Sequence, residues 1–212
     1  MNTHPMPTKI LTGDLDEERH ALYMASHSLA VDTETLGLNT LRDRLCVVQM
    51  CNEDGVVTLL RPLGTSAPRL QELFESSSVE KIFHFARFDL AALKYWLNID
   101  VAPIFCTKIA SRLVRTYTNQ HGLKDLIREL VGIELNKEQQ SSDWAADSLS
   151  PKQIEYAASD VIHLIAAKEK LVTMLVREKR LELARSCMNF LTTRATLDLA
   201  GWDQEDIFSH SS

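Results

Sequence analysis

An α/β fold, with a mixed sheet flanked by helices and a helix-rich C-terminal third, is what this 212-residue sequence predicts. Three observations predict it. Apolar runs with strand spacing crowd the first third of the chain, strand and helix spacing then alternate, and mostly helical spacing runs from beyond Ile104 to about Leu199. With 45% hydrophobic and 25% charged residues, the chain can bury one sizeable core without a second domain.

The elements follow in order. Residues 8–11 (TKIL) read as a strand and Asp16 to Ser26 as a helix. Three strand-like runs come next: Ser28 to Glu34, Arg44 to Cys51 and Val56 to Leu60, with Asn52 to Gly55 (NEDG) as a hairpin turn between the last two. A helix near Ala67 to Ser76 leads to a buried strand, Lys81 to Phe85 (KIFHF), and to helical spacing from Phe88 to Leu97. After a short strand near Ile104, the clearest element is a long helix, Pro151 to Leu171, with Pro at its start and Ser150 as candidate cap.

Placed on these elements, five side chains form a pattern. Side chains two apart on a strand share a face, so Asp32 and Glu34 in VDTE point the same way. Asp89 falls in the first turn of a helix that follows a strand. Tyr156 and Asp160, four apart on a helix, are stacked neighbours. Taken singly, each has an ordinary explanation: a solvated strand end, an acid at a helix N-terminus, a half-buried Tyr beside a surface Asp. Their occurrence in one order, each on a suitable element, points instead to a site.

Clustered carboxylates repel one another unless a cation sits between them, and an all-oxygen donor set suits Mg²⁺ or Mn²⁺ rather than zinc. Two such ions about 4 Å apart can activate a water and stabilise the charge on the leaving oxygen of a phosphodiester, with a nearby phenol orienting that water.

The order and wording of these segments resemble the DEDD superfamily of 3′-5′ exonucleases in its tyrosine-bearing subclass, and within it the ribonuclease D relatives. VDTETLGL, LCVVQM, Phe105 to Leu113 (FCTKIASRL), GLKDL, and SDW followed by LSPKQIEYAASDV carry the likeness, which runs from about Leu29 to Leu175. Leu135 to Trp144 (LNKEQQSSDW) is similar to the nano-RNase C type, whose members trim very short RNA. Three antiparallel strands followed by strand and helix alternation is also the ribonuclease H-like order. The resemblance implies that Asp32, Glu34 and Asp160 hold one metal ion, that Asp32 reaches a second, that Asp89 completes the set, and that Tyr156 holds the nucleophilic water.

It also implies contacts with substrate. His84 matches a position that touches phosphate or sugar, or is a buried, satisfied histidine. Leu38 is an apolar wedge against terminal bases, or a core leucine in a loop. Lys137, Gln139, Gln140 and Asp143 contact nucleotide, or form a solvated loop. A single exonuclease domain is expected over 1–212, core about 8–200, with no additional C-terminal RNA-binding domain.

The formal charge of −6 argues against a grip on long nucleic acid, which is driven by Lys and Arg. Lys108, Arg112, Arg115, His121, Lys124 and Arg128 gather some positive charge locally, or simply form a charged helix face. Short RNA down to dinucleotides is the expected substrate, and DNA ends or longer RNA the alternative, since no residue identified reads the 2′-hydroxyl. A silent scaffold of the same fold would lack a carboxylate or the tyrosine. All five residues are present.

Cys46, Cys51, Cys106 and Cys187 lack metal-finger spacing and are expected to be reduced core thiols. No leader-like or membrane-spanning run occurs, so a cytoplasmic location is expected. Leu183, Met188, Phe190, Leu191 and Leu197 form an amphipathic surface suited to self-association, and the resemblance implies a homo-oligomer of ring type.

Overall fold

A computed structural model describes residues 8–136 and 142–210. Its sheet has six strands in the order β1-β4-β3-β2-β5-β6: β1 (Lys9–Gly13), β2 (Ser28–Thr35), β3 (Leu45–Asn52), β4 (Val57–Pro62), β5 (Glu80–Phe83) and β6 (Ile104–Cys106). The sheet is mixed: β3 runs antiparallel to β2 and β4, whereas β1 is parallel to β4, and β5 is parallel to both β2 and β6. The predicted class and the ribonuclease H-like order are therefore present. Strand β3 is buried along its whole length, and its VV pair and Met50 explain why the run reads apolar without alternation.

Helices cover both faces. They are α1 (Glu17–Met24), α2 (Pro68–Glu75), α3 (Ala86–Leu97), α4 (Thr107–Val114), α5 (Leu123–Val131), α6 (Pro151–Ile162), α7 (Leu164–Arg177), α8 (Leu181–Asn189) and α9 (Leu191–Leu197), followed by a π-helical turn, Asp198–Trp202. Helix α6 lies across β2, β3 and β4; α7 touches β2 and β5 and packs on α4, α5 and α8. These different neighbours account for a correction. The expected single helix from Pro151 to Leu171 is two helices that turn at His163. Its start is as read: the Ser150 side chain accepts from Gln153 N while the Gln153 side chain accepts from Ser150 N, a capping box.

Three further expectations change. Cys46, Cys51 and Cys106 are buried free thiols, but Cys187 is exposed, because it lies on the outer side of α8. Met188 and Leu191 are buried against the core and unavailable for self-association, while Leu183 is exposed. Arg115 is a buried structural cation, its guanidinium paired with Glu129 and donating to Ser111 Oγ at 2.9 Å and Gln120 O at 2.8 Å. Among the described residues, no helix is long and apolar enough to cross a membrane.

Candidate active site

Strand β2 ends in a register shift between Glu34 and Thr35, at the point where it carries its two acids. Helix α6, laid across the same strands, brings Asp160 to them. One oxygen from each of Asp32, Glu34 and Asp160 lies within 4.8 Å of the others. Three anionic oxygen donors at that spacing fit a hard divalent cation, the chemistry expected from the sequence.

Asp89 reaches the cleft from the first turn of α3. Its Oδ1 accepts a 2.6 Å bond from Thr33 Oγ1. It is buried but stands outside the group of three close carboxylates. Tyr156 sits one helical turn before Asp160 and lines the same cleft, its ring 6.0 Å from that of the buried Trp144.

The cleft has a volume of about 640 Å³. One side is the loop after β2, from which Leu38 projects with 88% of its surface exposed; that settles the choice against a core leucine. Gly37 shapes this loop, since a Cβ there would collide with the Asp43 carboxylate, which accepts from Asn39 N. Another side carries His84, Phe85, Lys108 and Lys124. Phe85 holds a left-handed φ of 71°, an uncommon conformation for a bulky residue, and its ring lies under Lys108 Nζ at 4.4 Å from the centroid. His84 Nδ1 bonds Thr107 Oγ1 at 2.9 Å, whereas His84 Nε2 is buried without a partner among the described residues.

Electrostatics reflect the crowding. Burial first, then repulsion from Asp89, Asp160 and Glu34, holds the Asp32 carboxyl well above the usual range. Burial and the charges of Asp160 and Asp89 push Glu34 up to about 9. Burial raises Asp89 to about 7 against the Thr33 hydrogen bond, which acts the other way. Tyr156 is raised by burial and by Asp160 and Glu34, so its phenol keeps its proton. Burial, with Lys108 nearby, lowers His84 to about 3 and leaves its ring neutral. Such a set of raised acids suits a place that takes up cationic charge.

Of the expected substrate residues, Leu38 and His84 line the cleft. Asp143 does not: its Oδ1 accepts from Ala145 N at 3.0 Å, closing a turn. Lys137, Gln139 and Gln140 lie outside the described residues. Thr33, Lys108, Lys124, Ser142 and Trp144 were not assigned site roles by the sequence reading, although all five fall inside its quoted phrases and Lys108 and Lys124 belong to the basic set it named. The loop bearing Trp144 is tied to the sheet by Arg61, whose guanidinium donates to the Ala146 and Asp147 carbonyls.

A mixed sheet carrying an acid pair at a strand end, joined by an acid and a tyrosine one turn apart on a crossing helix, presents a carboxylate site suited to a divalent metal ion. Residues 9–176 match the 3′-5′ exonuclease domain family, and the chain belongs to that family. Within it the chain is ribonuclease D-like and similar to NrnC of Brucella melitensis. The structure of that protein with bound Mg²⁺ shares 47% identity and a TM-score of 0.91, covering 97% of this chain and 100% of the other. Its structure bound to pGG has a TM-score of 0.92 at 47% identity, with the same coverage of 97% and 100%. Ribonuclease D of Gluconacetobacter diazotrophicus is 35% identical over 191 residues, 89% of this chain and 47% of that protein. The chain thus spans about half the length of the curated relatives it matches.

Proposed function

We propose that the protein is a divalent-metal-dependent 3′-5′ exoribonuclease that hydrolyses short RNA oligonucleotides, down to dinucleotides, to 5′-mononucleotides. The observation that carries this reading is the three-carboxylate group of Asp32, Glu34 and Asp160, with Asp89 and Tyr156 in the same cleft. In this proposal Asp32, Glu34 and Asp160 would hold one Mg²⁺ or Mn²⁺ ion and Asp32 and Asp89 would serve a second, which would offset the burial and the neighbouring negative charge that raise Asp32 and Glu34. Bound ions would supply an activated water and charge compensation for the scissile phosphate.

The chain's own groups do the rest. The Tyr156 phenol, kept protonated, orients the attacking water. The water oxygen gives up a proton and bonds to phosphorus as the bond to the 3′ oxygen of the preceding nucleotide breaks, that oxygen takes up a proton from solvent, and the released nucleotide keeps the 5′ phosphate. Leu38, exposed at the rim, offers an apolar face for a terminal base.

Space and charge support a short substrate. A cleft of about 640 Å³ lies within the roughly 300–1,000 Å³ of small-ligand sites, and a formal charge of −6 provides little long-range pull on a polymer. The complex of the similar NrnC with pGG supports the same size class. Described residues beyond 176 pack back on the core, α9 against α3, which supports one exonuclease domain. Self-association into a ring and a cytoplasmic location belong to the same proposal.

The test is a time course with Mn²⁺ and an equal mixture of 5′-labelled RNA dinucleotide, longer RNA and duplex DNA, using wild type and Asp32→Ala. Loss of the dinucleotide first, absent in the variant, is expected. Preferential shortening of the duplex or the longer RNA would move the activity to general end trimming, and no cleavage at all would end the nuclease reading.

A further inference from the structure

Gln49 is fully buried on β3, and neither its amide oxygen nor its amide nitrogen has a hydrogen-bond partner among the described residues. That is costly. An unsatisfied buried amide forfeits about 1–3 kcal/mol for each lost bond, and nearly all buried polar groups in folded proteins are paired. An apolar residue of similar length would fill the same volume without the loss, and its neighbours Val47, Val48 and Met50 are all apolar.

Its position supplies a reason. Gln49 is the direct cross-strand partner of Asp32 in the antiparallel ladder. Directly opposed residues share a face of the sheet with Cβ atoms about 4.5–5.5 Å apart. On that face lies α6, which packs on β2, β3 and β4 and delivers Asp160 to Asp32. The amide therefore belongs to the enclosed side of the carboxylate group, beneath the cleft that Asp32 lines and Gln49 does not.

We infer that Gln49 is a positioning residue for Asp32, whose carboxylate takes the buried amide N–H as donor, directly or across one water, when the site holds its cations. This rests on the proposed nuclease reading. A carboxylate shared by two cations must present its oxygens in fixed directions, and a neutral donor from behind aligns it without adding a competing positive charge. The amide, which has no partner among the described residues, is then satisfied when the site is loaded.

Gln49→Leu and Gln49→Glu test this by three readouts that a merely structural glutamine would move differently. In metal-free protein, Gln49→Leu is expected to melt at the same temperature as wild type or higher, because an unpaired amide has been removed. Mn²⁺ affinity, measured by calorimetry without substrate, is expected to fall about tenfold, in the range seen when a group orienting a metal ligand is removed. Turnover of a 5′-labelled RNA dinucleotide is expected to fall at saturating Mn²⁺, with KM unchanged. Gln49→Glu, which can add a negative charge beside Asp32, is expected to impair turnover as well.

A Gln49→Leu protein with wild-type Mn²⁺ affinity and turnover overturns the inference, as does one whose metal-free protein melts below the wild type. Should the wild type bind Mn²⁺ but cleave none of the substrates, the nuclease reading and this inference fall together. Active wild type with an unaffected Gln49→Leu variant overturns the inference alone.

Discussion

The Thr33 hydroxyl donates a 2.6 Å hydrogen bond to the Asp89 carboxylate, joining the strand that carries Asp32 and Glu34 to the helix that carries the fourth acid. Thr33 alternates away from its two acidic neighbours along the strand, so this bond is the link between β2 and the start of α3. It also lowers the Asp89 pKa against burial, which raises it to about 7. Thr33→Val removes that opposition and is expected to shift the acid limb of the pH profile of Mn²⁺ binding upward by roughly one pH unit, the equivalent of one hydrogen bond to a charged group. Thr33→Ser is expected to restore the wild-type profile. An unshifted limb in Thr33→Val would remove the proposed linkage.

Metal-free stability is expected to fall as pH rises from 7 to 9. Glu34 is raised to about 9 and Asp89 to about 7, so the folded protein holds protons that the unfolded chain, with carboxyls near 4, has already released. Stability is therefore lost as pH rises through the folded values. The buried His84, lowered to about 3, acts oppositely but only below about 6.5, where the unfolded histidine gains its proton. The buried Lys81, lowered to about 8, acts oppositely from about 8 upward, so within that range the decline is steepest between 7 and 8. Thermal melts in chelator should show the decline, by several degrees on the basis of roughly 2–4 °C per kcal/mol for a chain of this size. Mn²⁺ should stabilise more at pH 9 than at pH 7, and Asp32→Ala should abolish much of that response.

Leu38 is 88% exposed yet lines the cleft, so its role can be separated from stability. Leu38→Ala is expected to leave the melting temperature unchanged, because a side chain already in water loses no burial. Its effect should fall on substrate: KM for the RNA dinucleotide rises about tenfold if the leucine contributes one base contact of 1–3 kcal/mol. Equal KM values would show that the side chain does not meet a base.

Lys81 shows the opposite case, a charged residue whose work is structural. It is fully buried, and its ammonium donates to Ser76 O at 2.8 Å, Val79 O at 2.6 Å and Ala102 O at 2.6 Å, using all three protons. Burial lowers its pKa to about 8. Lys81→Met fills the same channel but strands the three carbonyls, and is expected to cost roughly 3 kcal/mol in denaturant unfolding while kcat stays within about twofold of wild type. A matching loss of kcat in the folded variant would assign Lys81 a second role.

Much of the architecture was legible because it depends on local pattern. Apolar strand runs, the NEDG turn and the Ser150-Pro151 helix start all record backbone preferences that act over a few residues, and the structure has each of them. The break at His163 was not legible, since helical spacing continues through it and only the demand to pack α6 and α7 on different neighbours breaks the helix. The inward turn of Met188 and Leu191 likewise depends on which side of α8 and α9 meets the core.

For the site, spacing along one strand and one helix was enough to pair Asp32 with Glu34 and Tyr156 with Asp160, because periods of two and of 3.6 residues are set by the backbone alone. That Asp160 meets Asp32 and Glu34 within 4.8 Å, that Asp89 is held by Thr33, and that Gln49 faces Asp32 across the ladder are facts of strand register and helix docking. Those contacts join residues tens of positions apart, and only the folded chain, by excluding water from the space between sheet and helix, makes their charges and unpaired atoms answer to one another.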